Sequence, residues 1–253
     1  MNVMISLNTS IHMSIAVILA AGKGTRMRSH LPKPIVPFKG RPIVSYLIDR
    51  FMHAGIEDIY LIVGHGADEI REEIGEEVHY IYQAEQKGTA HAVLQMKSTE
   101  AWKDADVFVF VGDSPLIQSS TIKQLEKHHR DSQASCTFLT ADFPIALPYA
   151  RVIKDASGKL IGCVEEKNAT EQQLEIRELL TSHFIFNGND LFEHLSEIKA
   201  DADNQEYYLT DIIQLFLDKR MIVETVKIDS YQELVGLNTP EDIKWAEEAL
   251  QKK

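Results

Sequence analysis

Apolar runs of strand length alternate with segments of helical period through the first half of the chain. Residues 15–21 (IAVILAA), 58–64 (DIYLIVG) and 106–113 (DVFVFVGD) are nearly continuous apolar runs that end at or near glycine. Strands buried on both faces carry such runs, because neither face meets water. Between the first two, PIVSYLIDRFMHAG sets Ile43, Val44, Leu47, Ile48 and Phe51 on one face of a helix. After ADEIREEIG comes a strand-like VHYIYQ (78–83), and GTAHAVLQMKSTEAW (88–102) returns to helical period. SSTIKQLEKHHR (119–130) predicts another helix and ASCTFLTA (134–141) another strand. Repeated β–α alternation of this kind predicts an α/β domain, Rossmann-like, with a mostly parallel sheet flanked by helices.

From about residue 145 the runs shorten. ARVIKD and IGCVEEK flank SGKL, and Gly158 marks a hairpin turn. EQQLEIRELL (171–180) reads as helical and SHFIFN (182–187) as a strand; helices follow near 189–198 and over 210–219, then a strand over 222–228. TPEDIKWAEEALQKK closes the chain as a helix, with Thr239 as N-cap and Pro240 in the first helical position. Neither a repeat nor a low-complexity linker divides the chain. One domain over 14–253 is expected, with a first half over about 14–143 and a smaller, β-rich half over about 144–253.

Charge sharpens this picture. The 253 residues carry a net charge of −12, which argues against nucleic acid as a partner. Yet no Asp or Glu precedes Asp49, while Lys23, Arg26, Arg28, Lys33, Lys39 and Arg41 give that segment +6 and leave −18 for the rest. A cationic cluster on a glycine-rich turn after a buried strand suits a small, highly charged anion. No apolar run approaches the roughly 18 residues of a membrane span. SIAVILAAG lacks the preceding Lys or Arg of a signal peptide, residues 1–13 read as an extension without a clear role, and Met13 is an alternative start. Cys136 and Cys163 each fall in an apolar, strand-like segment, which fits buried free thiols and a cytoplasmic location.

The turn itself is Gly22-Lys23-Gly24-Thr25-Arg26-Met27. It lacks the spacing of a P-loop, and Met27 stands where a dinucleotide fingerprint needs its third glycine. What it offers is backbone N–H groups open to close approach, with a guanidinium beside them whose planar donors match phosphate oxygens.

LAAGKGTRM followed by LPK resembles the signature of the sugar-1-phosphate nucleotidyltransferases, and further blocks are similar to the uridylyltransferase domain of the GlmU family. These blocks are VGHGADEIRE (63–72), QAEQKGTAHAVLQ (83–95), GDSPLI (112–117), RVIKD (151–155), VEEKNATEQQLEIRE (164–178), EYYLTDII (206–213) and VGLNTPED (235–242). They follow the family's order over nearly all of 15–251. The resemblance implies the GT-A-like nucleotidyltransferase fold, with a nucleotide-binding first half and a sugar-binding second half. The family's C-terminal left-handed β-helix acyltransferase half has no counterpart in this sequence.

It further implies uridylyl transfer from UTP to a sugar 1-phosphate, N-acetylglucosamine 1-phosphate or a relative, with release of pyrophosphate. Arg26 and Lys33 would be catalytic, Arg26 on the departing pyrophosphate and Lys33 on the phosphates being joined. Leu19, Ala20, Ala21, Gly22, Gly24, Gln83, Gly88 and Thr89 would bind the nucleotide, and Glu165 and Thr210 the sugar. Asp113 and Asn238 would hold Mg²⁺. The histidines, scattered without a metal spacing, read as surface or packing residues. Three positions depart from the family: Val111 replaces an aromatic, Ala150 a glycine, and Leu180 an asparagine that would bond the sugar, which implies an altered sugar preference. A cytidylyltransferase acting on a polyol or amino-alcohol phosphate and a non-catalytic sensor of UDP-sugars are the alternatives.

Overall fold

The computed structural model describes residues 13–145 and 147–251, so all of the N-terminal extension except Met13 lies outside the described residues. The first half holds β1 (Met13–Ala20), a hairpin of β2 (Pro37–Phe38) and β3 (Arg41–Pro42), α1 (Ile43–Ala54), β4 (Ile59–Val63), α2 (Ala67–Ile74), β5 (His79–Tyr82), α3 (Thr89–Leu94), β6 (Ala105–Val111), α4 (Ser119–Ser132) and β7 (Cys136–Asp142). The second half adds β8 (Ala150–Lys154), β9 (Leu160–Val164), α5 (Glu171–Leu174), β10 (Glu178–Asn187), α6 (Gly188–His194), α7 (Asp211–Asp218), β11 (Val223–Lys227) and α8 (Pro240–Gln251).

The main sheet runs β11-β7-β10-β6-β1-β4-β5, with β8 bonded to β10 and β9 to β8. Pairing is parallel from β6 through β1 and β4 to β5, and between β7 and β11. β10 is antiparallel to both β6 and β7. The two halves of the chain therefore share one mixed, mostly parallel sheet, because β10 fills the place between two strands of the first half.

Side chains alternate along each strand, so the sheet packs on both faces. Ala16, Ile18, Phe108 and Phe110 meet Val44, Leu47 and Phe51 of α1 and Ile122 and Leu125 of α4. Ile15, Val17, Val107 and Val109 meet Val93 of α3, Phe192 of α6 and Phe216 of α7. All five apolar positions of the α1 face are buried, and the helix ends at Gly55, whose φ of 93° is the left-handed conformation that glycine adopts without strain. A third cluster joins Ala246 of α8 to Met27, Phe38 and Leu237, which seats the last helix on the cationic segment. Thr239 caps that helix as the sequence indicates: its hydroxyl accepts from Asp242 N–H at 3.1 Å, and the Asp242 carboxylate accepts from Thr239 N–H at 2.9 Å.

The structure corrects three details. The helix expected over 88–102 stops at Leu94 and tightens into a short 3₁₀ turn, with the Ser98 and Thr99 hydroxyls bonded to the carbonyls of Gln95 and Met96. The helix expected over 171–180 covers only Glu171–Leu174, and β10 already begins at Glu178. There Leu179 and Leu180 pair with Ala141 and Thr140, and burial in the sheet overrides the helical tendency of their sequence. Cys136 is a buried free thiol, but Cys163 is only half-buried, since β9 lies at the sheet's margin.

Candidate active site

β1, β4 and β6 run side by side in the same direction, so the residues after Ala20, Val63 and Val111 share one rim at their carboxyl ends. Two backbone bonds join these exits, from Gly112 N–H to Leu19 O at 2.9 Å and from His65 N–H to Ala21 O at 3.3 Å. The carbonyls of Leu19 and Ala21 are thereby occupied, and Ala20 is buried. Among the described residues, the N–H groups of Gly22, Lys23 and Gly24 have no protein acceptor, which leaves three donors on an exposed turn. Gly24 is demanded by packing, since its φ is +59° and a Cβ there would stand 2.5 Å from Lys33 Cβ. No such constraint applies at Gly22, where a Cβ would meet nothing within 4 Å, so its small size serves approach from outside.

Lys33, Asp113, Asn238 and Arg26 converge at this rim. Lys33 Nζ donates to Asp113 Oδ2 and, at 2.7 Å, to Asn238 Oδ1. Arg26 Nη2 donates to the same Asn238 oxygen at 2.9 Å. The loop carrying Asn238 is pinned to the Asp113 strand by Leu237 N–H on Asp113 O at 2.8 Å. Gly236 lies so close beneath the carboxylate that a Cβ would fall 2.8 Å from Oδ1. Thus a carboxylate and an amide oxygen, both hard donors, point at one cation position that an ammonium now holds. Two protein oxygens there suit Mg²⁺, an ion that keeps water and phosphate oxygens in its remaining positions.

Gln83, Gly88 and Thr89 cluster beyond β5. The Gln83 amide nitrogen lies 2.8 Å from His91 Nδ1 and 3.4 Å from Gly88 O. The Thr89 hydroxyl accepts from Leu209 N–H at 2.9 Å, while Ala90 N–H bonds Tyr207 O and Tyr207 N–H bonds Lys87 O, each at 2.9 Å. The EYYLTD segment is thus strapped across the turn at 87–90, and Gly88, at φ +97°, gives it room.

Glu165 and Thr210 meet in the second half, where the Thr210 hydroxyl hydrogen-bonds the carboxylate. Burial raises the Glu165 carboxyl above the usual range, against the opposing pull of that hydrogen bond. Leu180 and Ala150 are direct cross-strand partners, both buried, within an apolar cluster that includes Val152 and Leu209. Val111 pairs with Leu19 at the end of β6.

Three contributors were not singled out from the sequence. Tyr149, which burial pushes to a pKa of about 12, accepts Gly236 N–H at 3.1 Å and so supports the Asn238 loop. His91 packs against Gln83, with Nδ1 2.8 Å from its amide nitrogen, a contact its place among scattered histidines did not mark. His183 is fully buried edge-on to Phe110, with Nδ1 2.8 Å from the Thr181 hydroxyl and no partner on Nε2. It follows Ser182, whose φ of 63° marks a bulge in β10. A single Tyr or His in an otherwise apolar strand carries no signal of such a contact.

The family model for the MobA-like NTP transferase domain matches residues 16–209. The chain belongs to this family. Among curated proteins, this MobA-like NTP transferase is 37% identical over 238 residues to the bifunctional protein GlmU of Staphylococcus saprophyticus, covering 94% of the chain and 53% of that protein. It is 40% identical over 223 residues to GlmU of Listeria innocua serovar 6a, covering 88% and 49%. The chain thus spans about half the length of these curated relatives. Its fold is that of a UDP-glucose pyrophosphorylase solved with UDP-glucose, at a TM-score of 0.77 and 19% identity over 95% of this chain and 99% of the other. An apo UDP-glucose pyrophosphorylase gives a TM-score of 0.75 at 20% identity, with the same coverage. Among the described residues no helix is long and apolar enough to cross a membrane.

Proposed function

We propose that this MobA-like NTP transferase moves a uridylyl group from UTP to a sugar 1-phosphate, giving UDP-sugar and pyrophosphate. The observation that carries the reading is the convergence of Arg26, Lys33, Asp113 and Asn238 beside the free N–H groups of the Gly22–Gly24 turn. An oxygen of the sugar phosphate attacks the α-phosphorus as the bond to the β-phosphate oxygen breaks and pyrophosphate departs. No protein nucleophile is needed, so the chain's task is to align two polyanions and offset their charge.

In this reading the turn's N–H groups and Arg26 hold the triphosphate, Arg26 on the leaving pyrophosphate. Lys33 exchanges its carboxylate for the phosphates being joined and holds the attacking group in line. Leu19 to Ala21 supply backbone along the nucleotide, and Gln83, Gly88 and Thr89 frame the base. Asp113 and Asn238 would hold Mg²⁺, which when bound offsets charge on the phosphates. Glu165, ordered by Thr210, accepts from a sugar hydroxyl.

Leu180 beside Ala150 favours a sugar other than N-acetylglucosamine. A hydroxyl facing that apolar pair is buried without a partner, at about 1–3 kcal/mol. UTP as a substrate fits a cytoplasmic protein.

The test is pyrophosphate release with Mg²⁺ and UTP across a panel of sugar 1-phosphates, with Asp113→Ala as control. Release that depends on one sugar and vanishes in the control is expected. Turnover of N-acetylglucosamine 1-phosphate equal to or above every other sugar would overturn the altered preference, and silence with UTP, CTP and dTTP would overturn transfer itself.

A further inference from the structure

We propose that His91 sets the base preference of the site by fixing which end of the Gln83 amide faces the base. The inference rests on Gln83 being the base-facing residue of the function proposed above.

Gln83 is 2% exposed, and its amide nitrogen is the end that meets both Gly88 O and His91 Nδ1. A carbonyl can only accept, so the NH₂ end belongs beside Gly88. That NH₂ also faces His91 Nδ1 at 2.8 Å, and two donors cannot share that contact. Nδ1 therefore carries the lone pair, and the neutral ring has its proton on Nε2. On the far side of the ring, the Gln95 amide nitrogen lies 3.5 Å from Nε2 and gives its shorter bond, 2.9 Å, to the His91 carbonyl.

The consequence falls on the other end of Gln83. Oε1 has no hydrogen-bond partner among the described residues, and it is not among the buried unpartnered atoms, so it keeps contact with solvent. An acceptor there matches the N3–H of uracil and opposes the N3 lone pair of cytosine. A free glutamine could turn its amide over and serve either base. The 3.4 Å bond to Gly88 O restrains that rotation only weakly, and the shorter 2.8 Å contact with His91 removes the freedom that is left. His91 is itself held on α3 by the bonds from Ala90 N–H to Tyr207 O and from Leu209 N–H to the Thr89 hydroxyl. It acts as a positioning residue, touching Gln83 rather than the nucleotide.

Equilibrium binding of UTP and of CTP, without sugar, tests this in the intact chain, and the shared triphosphate cancels from the ratio. The proteins compared are the wild type, Gln83→Leu, His91→Phe and His91→Asn, whose side-chain oxygen can stand near the place of Nδ1. His91→Leu replaces the phenylalanine variant if circular dichroism shows that the latter does not fold. The expected result is a UTP preference that narrows about tenfold in Gln83→Leu and His91→Phe and is retained in His91→Asn. Narrowing in Gln83→Leu with the wild-type ratio kept in His91→Phe overturns the role of His91 and leaves Gln83 as the base reader. An unchanged ratio in Gln83→Leu, or no UTP preference in the wild type, overturns both.

Discussion

Lys33 and Asp113, 80 residues apart in the chain, form an ion pair at the rim of the sheet, with Asn238 Oδ1 on the same ammonium. Both side chains are largely buried, at 16% and 18% exposure, so neither charge is left to water alone. In the proposed function, the cation that would meet phosphate is held meanwhile on the carboxylate that would meet the metal. Lys33→Ala should therefore separate two properties that usually fall together. Turnover should drop by about 10²-fold or more. Binding of Mn²⁺ without nucleotide, followed by electron paramagnetic resonance, should tighten because Asp113 loses its competitor. Unchanged or weaker Mn²⁺ binding would show that the ammonium and the metal do not share one position.

Leu180→Asn should restore an amide beside Ala150. The expected gain is about tenfold in kcat/KM for N-acetylglucosamine 1-phosphate relative to the wild type's preferred sugar. A stability loss of about 1–3 kcal/mol should accompany it, since the free protein then buries an amide among apolar neighbours. Parallel kinetics and urea denaturation check both, and a stability loss without any shift in sugar ranking would remove Leu180 from the specificity argument.

Gly88→Ala should damage the strap between the two halves. Its Cβ would stand 2.5 Å from Tyr207 O and 2.7 Å from Tyr207 N, at a φ that also disfavours alanine. A cost of about 1–3 kcal/mol is expected, with a raised KM for both substrates. Gly75→Ala is the control, because its φ is +79° but a Cβ there meets open space. Equal losses at the two sites would mean that backbone strain alone, and not the strap, sets the cost.

His183 should give the protein an acid-sensitive stability. Burial holds its pKa down at about 4, against the pull of Asp113, whereas in the unfolded chain it titrates near 6.5. Between these values protons bind the unfolded chain and not the folded one. The contribution is complete above pH 6.5 and is lost as pH falls, by about 1.4 kcal/mol per unit and roughly 3 kcal/mol in all. In His183→Leu, the dependence of unfolding free energy on pH over that window should be shallower by about one proton. An unaltered slope would assign the acid sensitivity to other groups.

Local pattern revealed much of this architecture. The doubly buried strands β1, β4 and β6 announce themselves as continuous apolar runs, and Thr239 with Pro240 marks a helix start whatever the tertiary context. The first residues of β10 were illegible for a physical reason: Leu179 and Leu180 favour a helix locally and become a strand only because β7 and β8 are there to pair with them. The site divides the same way. The turn at Gly22 and the strand-end Asp113 can be found from spacing, and the resemblance supplies partners for them. The Lys33–Asp113 pair, the Tyr149 support under Gly236 and the His91–Gln83 contact depend on distances in space that no window of sequence contains.

The placement of β10 also bears on how the protein is made. It lies between β6 and β7 but is synthesised after both, and Phe108 faces Ile185 across the join. A ribosome-bound chain must therefore hold two strands apart, or leave their edges unpaired, until residue 187 has emerged. Exposed edges and aromatic surface in that interval are what chaperones bind. Asn238 arrives later still, so its contacts with Lys33 and Arg26 form only after the strands of the sheet have emerged.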